Sequence, residues 1–144
     1  RNIAINRPDL DPQRLLRTRQ RMCAAVLDSL VSGFEDLEPA IVLPDADDRH
    51  VVAAAIRTGA GLIVTFNLRD FPDLEIARHG LVAMHPDIFA LELLARNPTS
   101  VLDVIAAQAA DLKHPAHAAL DVVGALERCG LSRFGAAIRT GGLS

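Results

Sequence analysis

Apolar positions recur at helical spacing through Val51, Val52, Ala55 and Ile56, and that spacing predicts a helix with one buried face. Three aspartates, Asp45, Asp47 and Asp48, stand just ahead of it. Short carboxylates accept the free N–H groups of a first turn, so the helix is expected to begin there. Gly59 supplies the left-handed stop. The pattern then changes. Gly61-Leu-Ile-Val-Thr-Phe66 is continuously apolar and β-branched, which reads as a strand covered on both faces. Asn67 and Asp70 follow at its C-terminal end. Ligands of open α/β sheets bind outside the carboxyl ends of the strands. Two acidic loops are therefore expected to point at one place.

The rest of the chain is built around this unit. Asp11 caps a predicted helix that has Pro12 at its first position and runs to about Leu27, Pro being tolerated where no N–H is needed. Leu15, Met22 and Val26 can share its buried side. Arg14, Arg17, Arg19 and Arg21 lie mostly around the others. They read either as a solvated face or as a phosphate-contacting patch, since guanidinium forks match phosphate oxygens. Residues 40–43 read as a short strand or an extended segment. A helical turn is expected after Phe71-Pro72, ending near His79-Gly80. Leu81-Val-Ala-Met84 reads as a second strand, and Pro86 opens a helix to about Ala95. From Pro98 the strand signal disappears. Helical patterns follow at about 100–112, 116–128 and 131–139, broken at Pro115 and Gly130. The chain thus divides into an α/β part, residues 1–96, and a helical appendage, residues 97–144.

Composition narrows the picture. A chain of 144 residues can bury a modest core. Half of it is hydrophobic, but no apolar run approaches the roughly 20 residues that span a bilayer, and no secretory signal is visible. The formal net charge of −3 argues against holding nucleic acid by bulk charge alone. It leaves room for a nuclease whose field comes from bound cations and a few arginines. Cys23 and Cys129 lie far apart without metal-ligand spacing and read as two buried small hydrophobes in a reducing cytoplasm.

The acidic loops are the best candidates for chemistry. Carboxylates gathered from separate segments suit Mg²⁺ or Mn²⁺, hard cations that take oxygen ligands and keep several waters. Such an ion activates water and neutralises charge on a phosphodiester. Taken alone, Asp45 and Asp47 are read first as helix-capping, solvated aspartates. His50, His79, His85, His114 and His117 match no zinc spacing and read as structural or exposed. No nucleophile elbow, phosphate-binding glycine loop or dinucleotide fingerprint is present.

In combination, Leu43-Pro-Asp-Ala-Asp-Asp-Arg-His-Val-Val-Ala-Ala-Ala-Ile56 and Ile63-Val-Thr-Phe-Asn-Leu-Arg-Asp-Phe-Pro72 resemble the second half of a PIN domain. The chain is most similar to the VapC-type toxins of bacterial toxin–antitoxin systems. Arg7-Pro-Asp-Leu-Asp-Pro12 and Leu126-Glu-Arg-Cys-Gly-Leu-Ser-Arg-Phe134 resemble the longer branch of that group, which has a C-terminal helical region. The resemblance implies an α/β fold, a PIN-like parallel sheet flanked by helices. It also implies a cytoplasmic, Mg²⁺- or Mn²⁺-dependent endoribonuclease with an RNA substrate, a cognate antitoxin and a homodimeric state. Position by position, it makes Asp48, Asp70 and Asn67 the catalytic, metal-binding set. Thr65 is a hydroxyl near the site and Asp45 a supporting acid. Beside the resemblance, Arg14, Arg17 and Arg21 on the predicted first helix are the candidate RNA contacts. The family's first strand and the acidic residues that go with it are not in this sequence. A non-catalytic PIN-like binding module, or an inactive truncated toxin, is therefore the rival expectation.

Overall fold

The computed structural model describes residues 11–26, 29–111 and 118–141, with the side chains of Pro12 and Arg14 left out. The expectations for residues 1–10 and for Leu27, Pro115, His114 and His117 lie outside the described residues.

The first helix, α1, spans Pro12–Ala25, and the Asp11 side chain accepts the Gln13 N–H at 2.9 Å. The cap is the expected one, but the buried side is not. Met22 and Val26 are 65% and 59% exposed, because α1 forms no extended packing with any other described element. The segment 40–43 is extended without being a strand. Ile41 and Leu43 are buried while Val42 between them faces out, so the alternation serves a core without a ladder.

Next comes a 3₁₀ turn, Ala46–Asp48, leading into α2, Arg49–Thr58. Asp45 accepts the Asp47 N–H at 2.8 Å and so caps the turn rather than the helix. Helix α2 buries Val52, Ala53 and Ala55 and stops at Gly59, whose φ of 68° is a conformation that costs glycine little. Strand β1, Leu62–Val64, and strand β2, Val82–Met84, form a parallel pair with Ile63 opposite Ala83. Between them lie a 3₁₀ turn at Leu68–Asp70 and a short helix α3, Asp73–Ala77. Both strands are shorter than their apolar runs. Ile63 is buried, but Val64 and Val82 are 41% and 55% exposed, so the expectation of a strand covered on both faces is corrected. Helices α2 and α3 pack on β1 and β2, and the outward-facing valines have no described layer above them.

Four helices follow: α4 (Pro86–Arg96), α5 (Pro98–Asp111), α6 (Ala119–Arg128) and α7 (Ser132–Gly141). The fold is thus α/β, with mostly helices and a small parallel sheet among the described residues. Its apolar residues gather in two clusters. One holds Ile41, Leu43, Val52, Ile63, Phe71, Ile76 and Leu81 under the sheet and α2. The other holds Ile105, Val122, Val123, Phe134 and Ile138, with Ala90, Leu91 and Leu94 of α4 packed against it. Burial of such aliphatic side chains is the main favourable term in each, about 1.5–3 kcal/mol apiece. The cysteines differ from expectation: both are free, Cys23 is half-buried and Cys129 is exposed. Cys129 sits at the end of α6 rather than on its inner face. Among the described residues no helix is long and apolar enough to cross a membrane.

Candidate active site

The sequence of turns brings the two acidic loops together. The first loop ends in the 3₁₀ turn that delivers Asp48 to the start of α2. Asp48 makes no capping hydrogen bond with its side chain, so its carboxyl is free to face elsewhere. The second loop leaves β1 and folds at once. Thr65 N–H donates to Met84 O at 3.0 Å, extending the ladder by one bond. Thr65 Oγ1 then accepts the Asn67 N–H at 3.1 Å. This turn, with Asp70 N–H donating to Asn67 O at 3.4 Å, tucks Asp70 back toward the strand end. Asn67 Nδ2 donates to Asp70 Oδ2.

The result is an acidic pair from separate segments. Asp48 and Asp70 are within hydrogen-bond reach of each other, and Asp45 lies near enough for its charge to be felt. Partial burial raises the Asp48 carboxyl above its ordinary range, and Asp45 and Asp70 raise it further; His50 works in the other direction. Two carboxylates this close repel one another, which suits the pair to a cation. His50 Nδ1 lies 2.6 Å from Asp47 O, which holds the ring on its own turn.

Of the expected site residues, Asp48, Asp70, Asn67, Asp45 and Thr65 thus come together. Arg17 and Arg21 of α1 are not brought to them. Arg17 Nε donates to Gln13 O within α1 at 3.4 Å, Arg21 is exposed, and the Arg14 side chain lies outside the described residues.

The donor set has the right chemistry for Mg²⁺, which is held by as few as one or two carboxylates and keeps its remaining waters. It is not a cage: among the described residues no group of three or more His, Cys, Asp or Glu side chains is placed to hold a metal ion. Arg49, next to Asp48, has its Nε shielded from solvent without an acceptor.

Three other residues at this end of the sheet matter. His85 is structural, as expected, while the sequence does not single out the roles of Phe66 and Asp87. His85 Nδ1 accepts the Asp87 N–H at 3.2 Å and caps α4. Its ring meets Phe66 edge-on, centroids 5.1 Å apart. Asp87 is 5% exposed, and its two oxygens accept the Arg133 and Phe134 N–H groups at 3.1 and 2.8 Å. A carboxylate on α4 therefore caps α7. The Pro86 helix start places Asp87 in a first turn, and nothing in its local sequence points to Arg133 or Phe134.

Residues 86–140 match the family described as the VapC50 C-terminal domain. A protein of Mycobacterium tuberculosis (strain ATCC 25618 / H37Rv), named "Putative ribonuclease VapC50", is 51% identical over 47 residues. That stretch is 33% of this chain and 28% of the relative's own length. The VapC-type resemblance is thereby borne out over part of the chain. No solved structure matches.

Proposed function

We propose that this chain is part of a metal-dependent endoribonuclease, the toxin of a toxin–antitoxin pair, in which Asp48 and Asp70 hold a Mg²⁺ or Mn²⁺ ion. The observation that carries the reading is the convergence of those two carboxyls from separate loops at the end of a parallel strand, with the Asp48 carboxyl raised by its neighbours. The likeness to a relative named as a ribonuclease supports the same reading.

Bound between these groups, a divalent ion would supply water activation and neutralise charge on the phosphodiester. The chain's own groups set up the site. Asp48 and Asp70 supply the anionic oxygens. Asn67 orients Asp70 through Nδ2 and keeps Oδ1 as a further oxygen. Thr65 fixes the turn between strand and ligand. Asp45 adds negative charge without facing the ion directly. The exposed Arg17 and Arg21 of α1 would meet the RNA backbone away from the acidic pair. An antitoxin would block the site most simply by placing a basic side chain against the acidic pair. A homodimer and a cytoplasmic setting complete the proposal.

The test is RNA cleavage by the complete natural protein with and without Mn²⁺. Asp48→Asn is expected to reduce metal-dependent cleavage by at least about a hundredfold, the scale of losing a group that acts on the reacting centre. Undiminished cleavage would sink the assignment. One observation favours a rival: no acidic or histidine triplet is placed for a metal among the described residues. On that ground the fold could serve as a non-catalytic binding module. A calorimetric Mn²⁺ titration separates the two. Binding that vanishes in Asp48→Asn supports the enzyme, and no binding at millimolar Mn²⁺ supports the module.

A further inference from the structure

Phe66 stands immediately before Asn67, at the point where the chain leaves β1 for the acidic turn. Its ring is 57% exposed, yet it is not loose. The His85 ring meets it edge-on at an interplanar angle of 87°, the geometry aromatic quadrupoles favour. On another side the ring reaches Gly130, in the turn between α6 and α7. A Cβ on Gly130 would lie 3.1 Å from Phe66 Cε1 and 3.7 Å from Cδ1. Gly130 also has φ of 101°, which side chains rarely tolerate. Conformation and space thus both call for glycine at this position, and the ring occupies the space it leaves.

We infer that Phe66 is a positioning residue: the ring, held by His85 at the start of α4 and by Gly130 between α6 and α7, fixes the loop that carries Asn67 and Asp70. The clamp joins the two parts of the molecule. His85 is itself fixed as the cap of α4. Gly130 is fixed by its N–H donating to Glu127 O at 3.0 Å. The loop itself is anchored at its far end by the buried Phe71 and crossed by Asn67 Nδ2 donating to Asp70 Oδ2. Its backbone donors make local bonds: Asn67 N–H to Thr65 Oγ1, Asp70 N–H to Asn67 O and Phe71 N–H to Leu68 O, at 3.1, 3.4 and 3.2 Å. Short exposed bonds of this kind open readily unless a side chain pins the segment. The helical part therefore reaches the acidic loop through this aromatic ring. The consequence for metal binding rests on the function proposed above; the consequence for the loop does not.

The experiment is amide hydrogen exchange on the metal-free full chain, comparing wild type with Phe66→Ala and Phe66→Tyr. Phe66→Ala is expected to speed exchange at Asn67, Asp70 and Phe71 by roughly tenfold, the effect of about one aromatic contact on a local opening. The amides of Thr65 and Val82, bonded to Met84 O and Gly61 O, should keep their rates. Phe66→Tyr should restore the slow loop. Gly130→Ala should speed the same three amides by moving the ring. An unchanged loop in Phe66→Ala overturns the inference, and so does a uniform rise across the chain, which would mean a general loss of stability. A Mn²⁺ titration of the same variants adds the second readout. Phe66→Ala should weaken Mn²⁺ binding several-fold, and Phe66→Tyr should recover it. If wild type binds no Mn²⁺, the metal reading fails while the exchange rates still decide the role of Phe66.

Discussion

Asp48 is held at a disadvantage. Partial burial and the charges of Asp45 and Asp70 disfavour its ionised form, and the side chain returns nothing to the helix it precedes, since it makes no capping bond. Removing its charge should therefore not harm the fold. Asp48→Asn is expected to leave the metal-free protein equally stable or more stable by up to about 1 kcal/mol, the scale of a partly exposed charge interaction. Urea denaturation measures this, and a loss larger than that would show a structural role for the carboxylate. If a divalent cation relieves the repulsion, Mg²⁺ or Mn²⁺ should raise the melting temperature of wild type and leave that of Asp48→Asn unchanged. At this scale the sequence was informative. Asp48, Asn67 and Asp70 were readable because each lies at the end of an element whose period is clear. Asp87 was not, because its partners at Arg133 and Phe134 lie in another helix, and no local pattern encodes such a distance. Phe66 and Gly130 escaped for the same reason, their contact being tertiary.

Among the elements, α7 shows how the two ends of the helical part are tied. The residue before it, Leu131, has no side-chain acceptor to offer the helix start. Asp87 of α4 supplies both acceptors instead, and a carboxylate at a helix N-terminus also meets the positive end of the helix dipole. Because Asp87 is buried, water cannot replace it. Asp87→Ala is expected to cost about 2–3 kcal/mol, as for bonds to a charged acceptor whose loss strands buried N–H groups. Equilibrium denaturation checks the magnitude, and faster exchange at the Arg133 and Phe134 amides locates it. A cost below about 0.5 kcal/mol would mean that α7 is held by its apolar face alone. Helix α2 and its Gly59 stop could be read directly, since cap, period and terminator agree. The strands were read too long and α1 was given a buried side it does not have. Apolar runs report what could be buried, while burial needs a neighbour, and Val64, Val82, Met22 and Val26 find none among the described residues.

Across the whole molecule, the two parts respond to acid in opposite senses. In the helical part, the Arg139 guanidinium lies 3.0 Å from both Glu127 oxygens and holds the Glu127 carboxyl below its usual range. The unfolded chain then binds the Glu127 proton first, so this pair adds stability above the ordinary glutamate range and loses it as pH falls through the lowered value. At the acidic site the sign reverses. Asp48 is raised, so the folded chain binds its proton first, and stability falls as pH rises from the ordinary aspartate range through the raised value. In wild type the two slopes partly cancel. Glu127→Gln removes the first, so the metal-free variant should grow relatively more stable as pH falls through the raised Asp48 range. Adding Asp48→Asn should flatten the remaining slope, because the raised carboxyl is then gone. Urea midpoints taken across the carboxylate range test this. A slope that persists in the double variant would place the acid response on carboxyls other than these two.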